Sequence, residues 1–311
     1  MLKIIFMGTP KFSVPILEAL IEKYDVIGVV TQPDKLVGRK KELVYSPVKV
    51  CALEHGIKVI QPTKIRKEYQ EIIDLNPDMI VTAAYGQIVG KELLEFPKYK
   101  CINVHGSLLP KHRGGAPIQR AIMNGDTTTG ITIMYMAQGM DSGDMLSQRS
   151  IEISDTDTSS TLFDKLSLLG RDLLMETIPL LIEGKITPVK QNEVEATYSY
   201  NIDPSEEQID FNKDAKVIYN QIRSLLDEPC AYFNFIGFDD NTDRIKVVEA
   251  TVGDISTDKA PGMVVSKTKK YFTIACGNGT TLNIHKLQPF GKKVMNASEF
   301  INGGLRKYWK E

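Results

Sequence analysis

The chain has 311 residues, 42% of them hydrophobic, with 38 basic against 39 acidic side chains and a formal net charge of −1. That length favours two domains over one core, and no apolar run approaches the ~20 residues that a membrane-spanning helix needs. Four scattered cysteines (Cys51, Cys101, Cys230, Cys276), with no CxxC pair and no histidine cluster nearby, argue against a metal site or disulfides and for a reducing, cytoplasmic setting.

The first half alternates strand-like and helix-like stretches. "LKIIFMG" reads as a fully buried first strand rather than a signal peptide. "SVPILEALIEK" follows as a helix, with Ser13 expected as N-cap and Pro15 in the first turn. The loop between them has only Gly8, so a dinucleotide-binding reading fails and a tight turn is expected. "DVIGVVTQ" is a strand. "TQPDKLVGRKKELVYSP" is a basic loop carrying Arg39, Lys40 and Lys41, and "SPVKVCALEHG" is a helix. "IKVIQP" and "PDMIVTAAYG" are strands flanking a helix in "KIRKEYQEIIDLN", and "YKCINVH" is another strand. A helix in "APIQRAIMNG", strands in "TGITIMYM" and "DMLSQRSIEI", and a long helix from Thr158 to Gly184 complete this half. Such alternation implies an α/β fold: a Rossmann-like, mostly parallel sheet with helices on both faces and ligands beyond the strand carboxyl ends.

After Gly184 the pattern changes. Residues 185–207 are polar, contain prolines and lack periodicity, so they read as a linker between a 1–184 domain and a 208–311 domain. A helix near Asp214–Leu226 precedes several short strands, which suggests a small β-barrel of the oligonucleotide-binding (OB-like) type. From Lys259 to Glu311 ten basic residues face only two acidic ones, Glu299 and Glu311. The rest of the chain is therefore net acidic, and a polyanion is the expected partner of the basic end.

One constellation stands out for chemistry. Asn103 and His105 sit two apart at the end of a buried strand and so project from the same face. The later loop "GMDSGDML" supplies Asp141, expected at the same rim, where it could orient and charge the imidazole. An amide donor beside an imidazolium suits an oxyanion. No serine or cysteine has a nucleophile-elbow setting, so the pattern points to direct acyl transfer between two bound substrates.

At these residues the chain resembles the folate-dependent formyltransferases. The resemblance is carried by "KIIFMGTPKFSVPILEAL", "TQPDKLVGRKKEL", "AAYGQIV", "INVHGSLLPKHRGGAPIQRAI", "TGITIMYMAQGMDSGDML", "TYSYNIDPSEEQIDF" and "GKKVMNASEFINGGLR", which span nearly the whole chain. It implies that Asn103, His105 and Asp141 stabilise a tetrahedral intermediate during formyl transfer from 10-formyltetrahydrofolate. Folate would be held by Ser107, Leu108, Leu109 and Pro110, by Gly86, Gln87, Ile88 and Val89, and by Gln138, Gly139 and Met140 of the Asp141 loop. The basic loop and C-terminal segments resemble those members that formylate the α-amine of initiator methionyl-tRNA for translation initiation. Arg39, Lys40 and Lys41 would then meet the tRNA, with Lys267, Lys269, Lys270, Lys292, Lys293, Arg306 and Lys307. A monomer without a metal is expected. The competing readings are a formyltransferase for an amino-sugar nucleotide, a folate-dependent hydrolase and a non-catalytic RNA-binding protein.

Overall fold

A computed structural model describes residues 1–38, 41–238 and 241–309. The chain divides into two compact units. The first comprises Met1–Pro117, Thr128–Glu152 and Phe163–Tyr200; the second comprises Ile118–Thr127, Ile153–Leu162 and Asn201–Glu311.

In chain order the elements are β1 (Lys3–Gly8), α1 (Val14–Lys23), β2 (Asp25–Val30), β3 (Lys35–Val37), β4 (Glu42–Val44), α2 (Pro47–Glu54) and β5 (Val59–Ile60). Then come α3 (Gln70–Asp74), β6 (Met79–Ala83), α4 (Lys91–Glu95), β7 (Cys101–His105), α5 (Pro117–Asn124), β8 (Thr128–Tyr135), β9 (Met145–Glu152) and α6 (Ser159–Ile182). One seven-stranded sheet organises the first unit in the order β5-β2-β1-β6-β7-β8-β9. Pairing is parallel from β5 through β7 and antiparallel for β8 and β9. Ile4, Ile5, Phe6 and Met7 of β1 have no exposed surface, as expected of a central strand covered on both faces. Truncating Phe6 there would cost about 3–5 kcal/mol.

The two Ser-then-Pro helix openings behave differently. Ser46 caps α2, its hydroxyl accepting from Lys49 N at 3.0 Å. Ser13 makes no cap bond, contrary to expectation. It is fully buried at the end of a 3-10 turn and already has right-handed helical torsions, so its hydroxyl cannot fold back onto the helix. It donates instead to Ala83 O at 2.6 Å, tying α1 to the end of β6. The helix expected over "KIRKEYQEIIDLN" shortens to α3, and the strand "IKVIQP" to β5. The basic loop contains the antiparallel pair β3–β4, while Arg39 and Lys40 lie outside the described residues.

The second unit contains α7 (Ala215–Ser224), then β10 (Tyr232–Ile236), β11 (Thr242–Val252), β12 (Val264–Lys267), β13 (Phe272–Ala275), β14 (Thr281–Pro289), β15 (Met295–Asn296) and α8 (Ala297–Gly303). Its antiparallel half-barrel sheet runs β10-β11-β14-β13-β12, with β15 on β14. Ile218 and Ile222 of α7 and Phe300 of α8 are buried in one core with Phe233, Ile245, Phe272 and Ile284. The sequence reading did not anticipate β10 or α8.

Candidate active site

β7 ends the parallel part of the sheet. Cys101, Ile102 and Val104 are buried, as is His105 at 5% exposure, and only Asn103 is half-buried. Period-two alternation puts the Asn103 and His105 side chains on one face. Across the β6–β7 pair Thr82 stands opposite Asn103, and its hydroxyl donates to Asn103 Oδ1 at 2.8 Å. With the carbonyl oxygen engaged, the amide hydrogens of Asn103 are turned outward, and no protein acceptor meets them among the described residues.

His105 Nε2 lies 3.0 Å from His112 O. A carbonyl oxygen only accepts, so Nε2 carries a hydrogen and Nδ1 is the ring nitrogen left for chemistry. Nδ1 faces Asp141 Oδ2 at 3.7 Å, an ion-pair distance and longer than a hydrogen bond. The same Asp141 oxygen accepts from Gly114 N at 2.8 Å.

Asp141 arrives by a route unlike the expected one. β8 runs against β7, with His105 opposite Thr132 and Ile102 opposite Tyr135. The β8–β9 connection therefore leaves from the amino-terminal side of β7, not from the shared carboxyl rim. It must fold back along the sheet face that carries Asn103 and His105. Gly143 makes this possible: a Cβ there would stand 1.9 Å from Tyr135 O. Asp141 itself has φ +46°, a left-handed conformation costing about 1 kcal/mol that aspartate tolerates better than most residues.

The segment read as a linker supplies the scaffold. Thr197 O accepts from Arg113 N at 2.8 Å, Ser199 N donates to Arg113 O at 2.6 Å, and Ser199 O accepts from Ala116 N at 3.0 Å. Thr197 Oγ1 accepts from His112 N at 2.9 Å. The two segments come so close that a Cβ on Gly114 would stand 2.6 Å from Ser199 O. This lacing fixes both His112 O, which holds His105, and Gly114 N, which holds Asp141. Arg113 is 1% exposed; its guanidinium bonds Glu193 in bidentate fashion at 2.9 and 2.8 Å, and its Nε donates to Gln191. The Glu193 hydrogen bonds raise the guanidinium further above its ordinary value and lower the partner carboxyl.

The residues expected to hold folate fall into two groups. Ser107, Gln87, Leu109 and Val89 are occupied internally. Ser107 Oγ donates to Lys111 O at 2.7 Å, and Gln87 receives Ile65 N at 2.9 Å and donates to Pro62 O at 3.0 Å. Leu109 and Val89 are buried. Leu108 and Pro110 are half-buried; Gly86, Ile88, Gln138, Gly139 and Met140 are exposed. Ile88 and Met140, 63% and 51% exposed, offer apolar surface suited to a flat ring system. Lys41 is exposed on the first unit; Lys267, Lys269, Lys270, Lys292, Lys293, Arg306 and Lys307 are exposed on the second. Among the described residues no three His, Cys, Asp or Glu side chains are grouped as metal ligands, and no helix is long and apolar enough to cross a membrane.

Sequence reasoning missed Thr82, Arg113, Gly114 and Gln191. Thr82 did leave a signal, as a polar residue within the apolar run "MIVTAA". Gln191 left none.

Comparison with known proteins identifies the family. Residues 2–178 match the formyl transferase family and residues 201–305 match its C-terminal domain. A methionyl-tRNA formyltransferase of Bacillus mycoides is 53% identical over 306 residues, covering 97% of this chain and 96% of that protein. One from Bacillus thuringiensis is 52% identical over 309 residues, with 97% and 96% covered. In fold, the chain is similar to the crystal structure of an N-formyltransferase from Helicobacter canadensis in complex with folinic acid and dTDP-3-aminofucose. The TM-score is 0.69 at 22% identity, over 93% of this chain and 100% of that one. Matched along both parts of its sequence, the chain belongs to the formyl transferase family.

Proposed function

We propose that this protein moves the formyl group of 10-formyltetrahydrofolate to the α-amine of methionine esterified to initiator tRNA, by direct attack without a covalent enzyme intermediate. The observation that carries the reading is the Asp141 carboxylate standing 3.7 Å from His105 Nδ1, at the end of the strand whose same face carries Asn103, the Oδ1 of which is engaged by Thr82. Folate supplies the formyl group as donor substrate. Asn103 Nδ2 and protonated His105 Nδ1 donate to the formyl oxygen as it gains negative charge. Asp141, beside that ring nitrogen, accepts the proton that the attacking amine sheds. Water then carries that proton to the departing nitrogen of the donor, and no Ser or Cys nucleophile is required. The amine attacks in its neutral form; a free α-amino group titrates at roughly 7.7–8.0, which favours neutral to mildly alkaline conditions.

In this reading residues 1–184, with the adjoining part of 185–207, carry the chemistry. The 208–311 region and the loop with Arg39, Lys40 and Lys41 bind tRNA phosphates. Identity above 50% to methionyl-tRNA formyltransferases over nearly the whole chain, and the exposed lysines of the second unit, support the tRNA over an amino sugar as acceptor. Initiation of protein synthesis places the reaction in the cytoplasm. The test offers formyl-labelled 10-formyltetrahydrofolate together with charged initiator tRNA, free methionine or an amino-sugar nucleotide. Labelling of the tRNA alone is expected; equal labelling of the sugar would overturn the assignment.

A further inference from the structure

We infer that Gln191 is a positioning residue for formyl transfer: it sets where the Asp141 carboxylate stands against His105, and Arg113 in turn sets Gln191. The inference rests on the proposed role of Asp141. Gln191 is 4% exposed and lies fifty positions from Asp141, in the segment that the sequence marks as a linker. Its Nε2 donates to Asp141 O and to Gly143 O, both at 2.7 Å. Its Oε1 accepts from Arg113 Nε at 3.0 Å. Because the guanidinium only donates and the two carbonyls only accept, one orientation of the amide satisfies all three partners, and the flipped one satisfies none.

The bonds go to the places where the connection needs them. This stretch leaves β8 on the far side of β7, folds back over the sheet face, and holds Asp141 at a positive φ. The carboxylate is fixed from the other side by Gly114 N. With the main chain of Asp141 held by Gln191 and its side chain by Gly114, the 3.7 Å approach to Nδ1 is defined at both ends. Arg113 joins the two holds, since Gly114 is its chain neighbour and its own Nε orients Gln191. Without Gln191 the carboxylate can withdraw while the rest of the sheet stays in place.

The test uses the full chain with Gln191→Glu, Gln191→Met, Asp141→Ala and the Gln191→Met/Asp141→Ala double variant. Gln191→Glu keeps an acceptor for Arg113 and deletes both donors. The readouts are kcat, KM for 10-formyltetrahydrofolate and the thermal midpoint. Expected for both single Gln191 variants is a kcat lower by about ten- to a hundredfold, because a displacement of about 1 Å suffices for a loss of that size. Folate KM should change far less than kcat, and the midpoint should fall by only several degrees, as the two buried carbonyls lose their donors. In the Asp141→Ala background Gln191→Met should lower kcat no further, as residues acting through one group are non-additive. Parent-like kcat in both Gln191 variants, losses that multiply in the double variant, or kcat falling only in step with folate KM and midpoint would overturn the inference. Parent-like kcat in Asp141→Ala would instead remove the reading on which it rests.

Discussion

Thr82 and Asn103 face each other across parallel strands β6 and β7, and the Thr82 hydroxyl donates to Asn103 Oδ1 at 2.8 Å. The bond decides which end of the Asn103 amide looks outward. A polar residue buried to 98% in an otherwise apolar strand has its explanation there. Replacing it with its apolar isostere, Thr82→Val, should lower kcat about five- to tenfold, the equivalent of one hydrogen bond of ~1 kcal/mol. Folate KM should barely move, and Thr82→Ser should restore most of the rate. A Thr82→Val enzyme with parent kcat would mean that Asn103 needs no such orientation.

Binding of tRNA should depend on the exposed lysines of the turn after β14. Lys292→Ala with Lys293→Ala should raise KM for charged tRNA and flatten the log KM against log salt plot by as much as about two phosphate contacts. Folate KM should be unchanged. Unaltered salt dependence would place the tRNA elsewhere.

Acid sensitivity should trace in part to the second unit. Arg120 holds Glu206 through paired hydrogen bonds at 2.5 and 2.8 Å, and these lower the carboxyl from 4.5 to about 2. A carboxyl lowered by folding contributes stability that is complete above its ordinary value and fades as pH falls toward the folded one. The difference in urea midpoint between the parent and Glu206→Gln should therefore be steady at pH 6 and shrink from about pH 4.5 toward 2. A difference that grows with acid would contradict the pairing.

Thiol chemistry should be slow in the native protein. All four cysteines are free and buried. Burial raises the Cys51 thiol to about 11 and Cys276 to about 12, and moves Cys101 and Cys230 in the same direction. Ellman's reagent at pH 8 should titrate four thiols in denaturant and react only sluggishly without it. Rapid native labelling would show that one thiol is reachable.

The fold was legible where periodicity speaks for itself. Continuous apolar runs gave β1, β6 and β7, and the step of two from Asn103 to His105 gave a shared face. Strand direction is not written in such runs: nothing in "TGITIMYM" says that β8 opposes β7, so the path of the Asp141 loop was misjudged although its carboxylate does lie near His105. The scaffold behind the site was hidden for a different reason. Gln191, Thr197 and Ser199 reach it through backbone and amide bonds spanning 48 to 87 positions, and polar, aperiodic sequence looks the same whether it is solvated or laced to a neighbour. Ser13 shows that even a well-formed capping signal yields when its hydroxyl finds a buried acceptor.

The most direct test is the single-turnover rate of formyl transfer to charged initiator tRNA by His105→Ala, with the folate dissociation constant measured on the same preparation. A rate reduced by a hundredfold or more at near-parent folate affinity is the predicted result. A parent rate, or a loss explained wholly by weaker folate binding, would contradict a transfer step built on the imidazole.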